Sequence, residues 1–126
     1  MNRVGKIFCS LVQFYNSRES RVDIKKRPVL ILKEPETRQD RQHVVLPIST
    51  LLKEWHRNET YDVMIDPAQF SLLRLKRISY IRCHKQFTVY DSEIDFVRCI
   101  GDLKLDYPST WKEVLRKLIA FEMTIV

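Results

Sequence analysis

The chain has only two glycines in 126 residues. It has no Gly-rich phosphate-binding loop, so the P-loop and dinucleotide-binding classes are excluded. Cysteine is scarce too. Cys9, Cys83 and Cys99 are isolated and odd in number. They lack zinc or redox spacing and read as reduced thiols of a cytosolic protein. His43, His56 and His84 lie far apart, with no cysteine or carboxylate beside them at ligand spacing; no metal or cofactor is expected. No apolar run approaches the ~20 residues of a membrane span. The opening "MNRVGKIFCSLVQF" is interrupted by Lys6, Ser10 and Gln13 and is followed by no small-residue cleavage site, so it reads as a strand rather than a signal peptide. A G-x-S-x-G elbow is missing, as are repeats, linkers and low-complexity segments.

What is present suits one domain over residues 1–126, with 44% hydrophobic residues to build its core. The net charge is +6, from 22 Lys+Arg against 16 Asp+Glu. That balance favours a polyanionic partner, nucleic acid or acidic peptide, without choosing between them.

Short strands dominate the pattern. Gly5 to Tyr15 is apolar and β-rich. Asn16 to Lys26, "NSRESRVDIKK", is dense in charge and reads as a mobile loop. "RPVLILKE" begins with a proline and continues apolar from Val29 to Leu32, as in a strand buried on both faces. In "HVVLPIST", Pro47 demands a bulge or an edge. A helical turn is expected over 51–55. "YDVMID" alternates as a half-buried strand, on which Asp62 and Asp66 lack a third partner and read as solvated. "PAQFSLL" reads as a turn or short helix. "SYIRCHKQFTVYD" follows as one bent strand or two short ones, and Val97 to Leu103 is expected to close the sheet. At the end, Thr110 and Glu113 match a capping box, and Trp111, Val114, Leu115 and Leu118 form one helical stripe. Strands in close succession predict an antiparallel, strongly curved sheet or small barrel with a C-terminal helix.

Four places merit a functional reading, and each also has a plainer one. Arg27 stands where a basic segment enters a buried strand, or is a surface cation beside a proline. Ser49 and Thr50 offer hydroxyls at a strand end, or simply terminate it. Arg82 and His84 share a strand face with Tyr80 and Gln86, which is otherwise an exposed face. Arg18, Arg21, Lys25 and Lys26 form a basic loop or a solvated one. Together they contain what a metal-free ribonuclease needs. A base takes the ribose 2′-OH proton, and an acid protonates the departing 5′ oxygen. Cations or hydrogen-bond donors stabilise the charge building at phosphorus. An imidazole with pKa about 6.5 serves as base, and guanidinium forks match phosphate geometry.

The succession "GKIFCSLVQF", "KKRPVLIL", "HVVLPIST" and "SYIRCHKQFTVYD" resembles the MazF/PemK family of toxins from toxin–antitoxin systems, over roughly residues 4 to 103, and the terminal helix fits as well. The resemblance implies a mainly β, SH3-like small barrel of five to seven strands with a C-terminal α-helix, usually homodimeric and cytoplasmic. It implies metal-independent, sequence-selective cleavage of single-stranded RNA, leaving a 2′,3′-cyclic phosphate and a 5′-OH. The implied catalytic groups are Arg27, Ser49, Arg82 and His84, with Arg18, Arg21, Lys25, Lys26, Thr50, Lys85 and Gln86 against RNA. The PemK-type branch has an acidic residue where this chain has His84. The implied partner is an antitoxin with an acidic, flexible segment. Two other readings stand beside this one. A gyrase-poisoning branch of the fold ends in Trp-Gly-Ile, unlike "FEMTIV" here. The third is a non-catalytic RNA- or protein-binding barrel.

Overall fold

The computed structural model describes residues 2–51 and 56–126, and its longest elements form one hairpin. β1 (Lys6–Asn16) and β2 (Arg21–Lys33) pair antiparallel from Ile7↔Leu30 out to Asn16↔Arg21. The turn is confined to residues 17–20. Asn16 fastens it: its side-chain oxygen accepts from the N–H groups of Arg18 (3.1 Å) and Glu19 (3.3 Å), and its amide donates to Asp23 (2.8 Å). Ser20 adopts a left-handed φ of 52°. The mobile loop expected over Asn16–Lys26 is therefore corrected to strand from Arg21 onward. Its charges alternate with Val22 and Ile24, and β1 supplies ladder partners that local polarity does not reveal.

β3 (Gln42–Ser49), β4 (Asp62–Ile65), β5 (Ser79–Arg82), β6 (Phe87–Tyr90) and β7 (Ile94–Asp102) complete an antiparallel sheet. Its order is β4-β5-β3-β2-β1-β7, with β6 also pairing β3. On its outer side β3 pairs β6 through Gln42–Val45 and β5 through Ile48 and Ser49. Pro47 sits at this change of partner, where it has no ladder bond to lose on that side. Pro47 is thus locally at an edge, one of the two positions expected of it. The "SYIRCHKQFTVYD" stretch is two short strands, β5 and β6. The helical turn expected over 51–55 lies, beyond Leu51, outside the described residues.

Apolar residues alternate across the sheet and fill two cores. One joins Ile7, Leu30, Leu46, Ile48, Ile81 and Cys83 to the C-terminal helix; the other joins Phe8, Val29, Ile31, Val45, Val89 and Ile94. Val29, Leu30 and Ile31 are fully buried because they feed both. The curled sheet is bridged between its edges by the 66–78 connection, where the Arg74 N–H donates to the Ile100 carbonyl (2.9 Å). Leu73 presses so closely on Gly101 that a Cβ there would collide with it.

After α1 (Leu103–Asp106), α2 spans Pro108–Glu122. It starts two residues before the expected Thr110–Glu113 capping box, which is not formed. Pro108 stands at the first helical position, where its fixed φ suits a helix and its missing N–H costs nothing. The predicted stripe holds: Trp111 and Val114 are buried, and Leu115 and Leu118 pack on the same core. The fold is thus mainly β with a C-terminal helix, as expected. Among the described residues no helix is long and apolar enough to cross a membrane.

Candidate active site

The pleat decides which side chains share a surface. Ser49 lies opposite Tyr80, and Tyr80 opposite Met64. Val29 lies opposite Pro47, so continuing that register by one pleat sets Arg27 opposite Ser49, with Ser10 on its other side. Arg27, Ser49 and Tyr80 thus form one row across a single face, at strand spacings of ~4.8 Å. The next row on that face carries Arg82 opposite Asp62. The Arg27 guanidinium and the Lys25 ammonium both stand over the Phe14 ring, at 5.6 and 4.6 Å.

Asp62 is the centre of the second row. Its side chain is fully buried, against the solvated position expected of it. Its Oδ1 accepts from Arg82 Nε at 2.6 Å, and its Oδ2 accepts from the Asn58 N–H at 2.7 Å. The Arg82 fork also donates to the His56 carbonyl (3.1 Å). His84 Nδ1 lies 3.8 Å from the same Oδ1, beyond hydrogen-bond distance. The strand ends at Arg82, so His84 does not share its face by strand alternation as expected. It occupies the turn before β6, its ring packed between Tyr61 (5.7 Å) and Phe121 of α2 (6.0 Å). Burial and the Arg82 charge push the His84 pKa down, and Asp62 opposes them. Cys83, between the two, points into the core, and burial drives its thiol up to about 12. It is a packing residue, not a nucleophile.

Beside these rows lies a groove of about 620 Å³, lined mainly by Val12, Gln13, Pro47, Phe87, Thr88 and Tyr90. It contains none of the four predicted catalytic residues. It borders them nonetheless, because Pro47 is one pleat from Ser49 and Val12 lies opposite Lys25. Among the described residues, no group of three or more His, Cys, Asp or Glu is placed to hold a metal ion.

The family described as PemK-like, MazF-like toxin of type II toxin–antitoxin system matches residues 5–121. The chain belongs to the PemK/MazF toxin family. Solved structures share its fold. A Mycobacterium tuberculosis toxin, MazF-mt6, is 22% identical with a TM-score of 0.58, over 88% of this chain and 91% of that one. A second Mtb toxin is 24% identical with a TM-score of 0.57, over 75% and 91%. An endoribonuclease in complex with its cognate antitoxin, from a mycobacterial species, is 15% identical with a TM-score of 0.64, over 96% and 94%. No curated protein matches the chain.

In this PemK/MazF-family toxin the predicted basic residues are spread over two faces. Arg21, Lys25 and Arg27 share one face of β2, and Lys26 points to the other. Arg21 is paired with Asp23 (2.8 Å) rather than free. Arg18 sits on the hairpin turn, and Lys85 and Gln86 are exposed in the turn between β5 and β6. Thr50 lines a separate cavity of about 360 Å³ with Arg74, Lys76 and Arg77. Sequence reasoning missed Asp62, Tyr61, Phe121 and the Arg57 guanidinium over Tyr80 (5.3 Å). The only signal for Asp62 was a lone carboxylate on a strand preceding an arginine-bearing one. Without register, that does not identify a pair.

Proposed function

We propose that this toxin is a metal-independent endoribonuclease that cuts single-stranded RNA by attack of the ribose 2′-OH, leaving a 2′,3′-cyclic phosphate and a 5′-OH. Family membership carries the toxin assignment. What supports the chemistry is one arrangement: Arg27, Ser49 and Arg82 lie in adjacent rows of one sheet face, with His84 beside Arg82. In this reading His84 Nε2 takes the 2′-OH proton, because a depressed pKa keeps the imidazole neutral near pH 7. Arg82 stabilises charge at phosphorus; a guanidinium is too weak an acid to give up a proton, so the departing 5′ oxygen takes its proton from solvent water. Arg27 clamps a phosphate oxygen and Ser49 donates a hydrogen bond to another. Arg18, Lys25, Lys85 and Gln86 contact flanking nucleotides. The groove along Val12, Pro47 and Phe87 admits the strand.

The partner in this reading is an antitoxin whose acidic, flexible segment competes for the same cationic face, drawn by the +6 charge. It is in keeping that one structural neighbour is an endoribonuclease in complex with its cognate antitoxin. The working form is a cytoplasmic homodimer. The test is purified protein with single-stranded RNA in EDTA. Discrete cuts ending in cyclic phosphate, weakened about tenfold in Arg27→Ala, uphold the proposal; intact RNA overturns it.

A further inference from the structure

We infer that Asp62 is a positioning residue, holding the proton of neutral His84 on Nδ1 so that Nε2 is the nitrogen left to accept a proton. This rests on the ribonuclease reading for its consequence but on geometry for its substance. Nδ1, not Nε2, is the His84 nitrogen that is buried without a hydrogen-bond partner. The polar atom it approaches is Asp62 Oδ1, at 3.8 Å. A buried N–H there faces a carboxylate, whereas a buried lone pair there would face negative charge. The second arrangement is disfavoured in a site of low dielectric.

Every element packed around the ring agrees with that polarity. On β4, Asp62 is a carboxylate with two other donors already on it, the Asn58 N–H and Arg82 Nε. On β5, Arg82 is a cation directed at Asp62 rather than at the ring. From the turn itself comes Lys85, which disfavours the imidazolium. From α2, Lys117 Nζ donates to the Asp62 carbonyl (2.8 Å) and stands 3.8 Å from Glu113, so its charge is engaged. Phe121 and Tyr61 are aromatic ring neighbours. Asp62 is thus the one anion that faces the imidazole among the described residues. A shift of about 0.6 Å would bring the 3.8 Å approach within hydrogen-bond distance.

The decisive measurement needs no variant: the ring-nitrogen NMR shifts of His84 in the wild-type protein above its pKa. The Nδ1–H tautomer is expected; the Nε2–H tautomer overturns the inference. A second arm uses Asp62→Asn, checked for folding by amide NMR. Removing the carboxylate takes away the group that helps His84 hold a proton. Its titration should move to lower pH, and the acid limb of kcat with it. kcat itself should fall by about 10²-fold or more, within the range of a positioned base. A variant with an unshifted His84 titration and unchanged kcat shows Asp62 to be structural only. An Nδ1–H tautomer in a protein that cuts no RNA upholds the Asp62–His84 pairing and overturns the ribonuclease reading. An Nε2–H tautomer in a protein that cuts RNA does the reverse.

Discussion

Among the described residues, two histidine–aspartate pairs are built from the same chemistry to different ends. On β3, His43 is 2% exposed and its Nε2 is hydrogen-bonded directly to Asp91, which is 41% exposed at the end of β6. Its ring packs on Phe96 at 5.3 Å. Here the buried partner is the histidine, and the carboxylate remains in water, so the pair ties one strand to the turn that follows another. At the other end of the sheet the burial is inverted. Asp62 is fully buried, shared with Arg82 and Asn58, and His84 stands off at 3.8 Å. The carboxylate is committed to the guanidinium first, and the imidazole is left with an unpartnered Nδ1 and a depressed pKa. The comparison teaches that a third charge, Arg82, decides whether the carboxylate of a pair bonds its histidine or stands off from it.

The sharpest way to break this contrast is at the two histidines. His84→Ala should cut RNA cleavage by about 10²–10⁴-fold, the contribution of a general base. His43→Ala should lower the melting temperature while the folded fraction cleaves within a few-fold of wild type. Equal losses of cleavage per folded molecule would erase the distinction. The carboxylates come next, read by urea denaturation. Asp62→Ala strands the Arg82 guanidinium, whose side chain is 12% exposed, and should cost about 3–5 kcal/mol. Asp91→Ala, with its carboxylate already in solvent, should cost only about 1 kcal/mol. Reversal of that order would mean that the burial of Asp62 is compensated elsewhere.

Arg27 lies outside both pairs and tests whether the first row works with the second. Arg27→Ala should reduce cleavage by about tenfold, the scale of one charge-assisted hydrogen bond, and should weaken antitoxin binding as well. A variant unchanged in both assays would place the clamp elsewhere. The smallest effect is in pH dependence. Because the folded state lowers the His84 pKa, the unfolded chain binds that proton more readily. The stability associated with neutral His84 is complete above its unfolded pKa of about 6.5 and declines as pH falls below it. His84→Gln should flatten this part of the stability curve between pH 7 and 5; an unaltered slope would assign it to other groups.

Local pattern carried much of the fold. The alternation in "YDVMID", the continuous "VLIL" run and the Trp111–Leu118 stripe each declared a buried face, because side-chain burial has the period of the backbone that carries it. The failures share one cause. Arg21–Lys26 is strand because β1 pairs with it, α2 starts at Pro108 because that ring suits a helix start, and Asp62 is buried because Arg82 lies opposite. Arg82 stands 20 positions after Asp62, and β1, though only a four-residue turn away, pairs with Arg21–Lys26 by a register that the charged run does not display.

The sequence by itself determined a curved β domain with a terminal helix, a cationic surface and the residues Arg27, Ser49, Arg82 and His84 as candidates, since composition, periodicity and motif order are properties of the chain read one residue at a time. Tertiary structure alone decided that Arg82 and His84 meet over Asp62, 20 and 22 positions earlier in the chain. Antiparallel register and the seating of α2 set that meeting, and both are fixed by the packing of the whole core rather than by any segment's own preference.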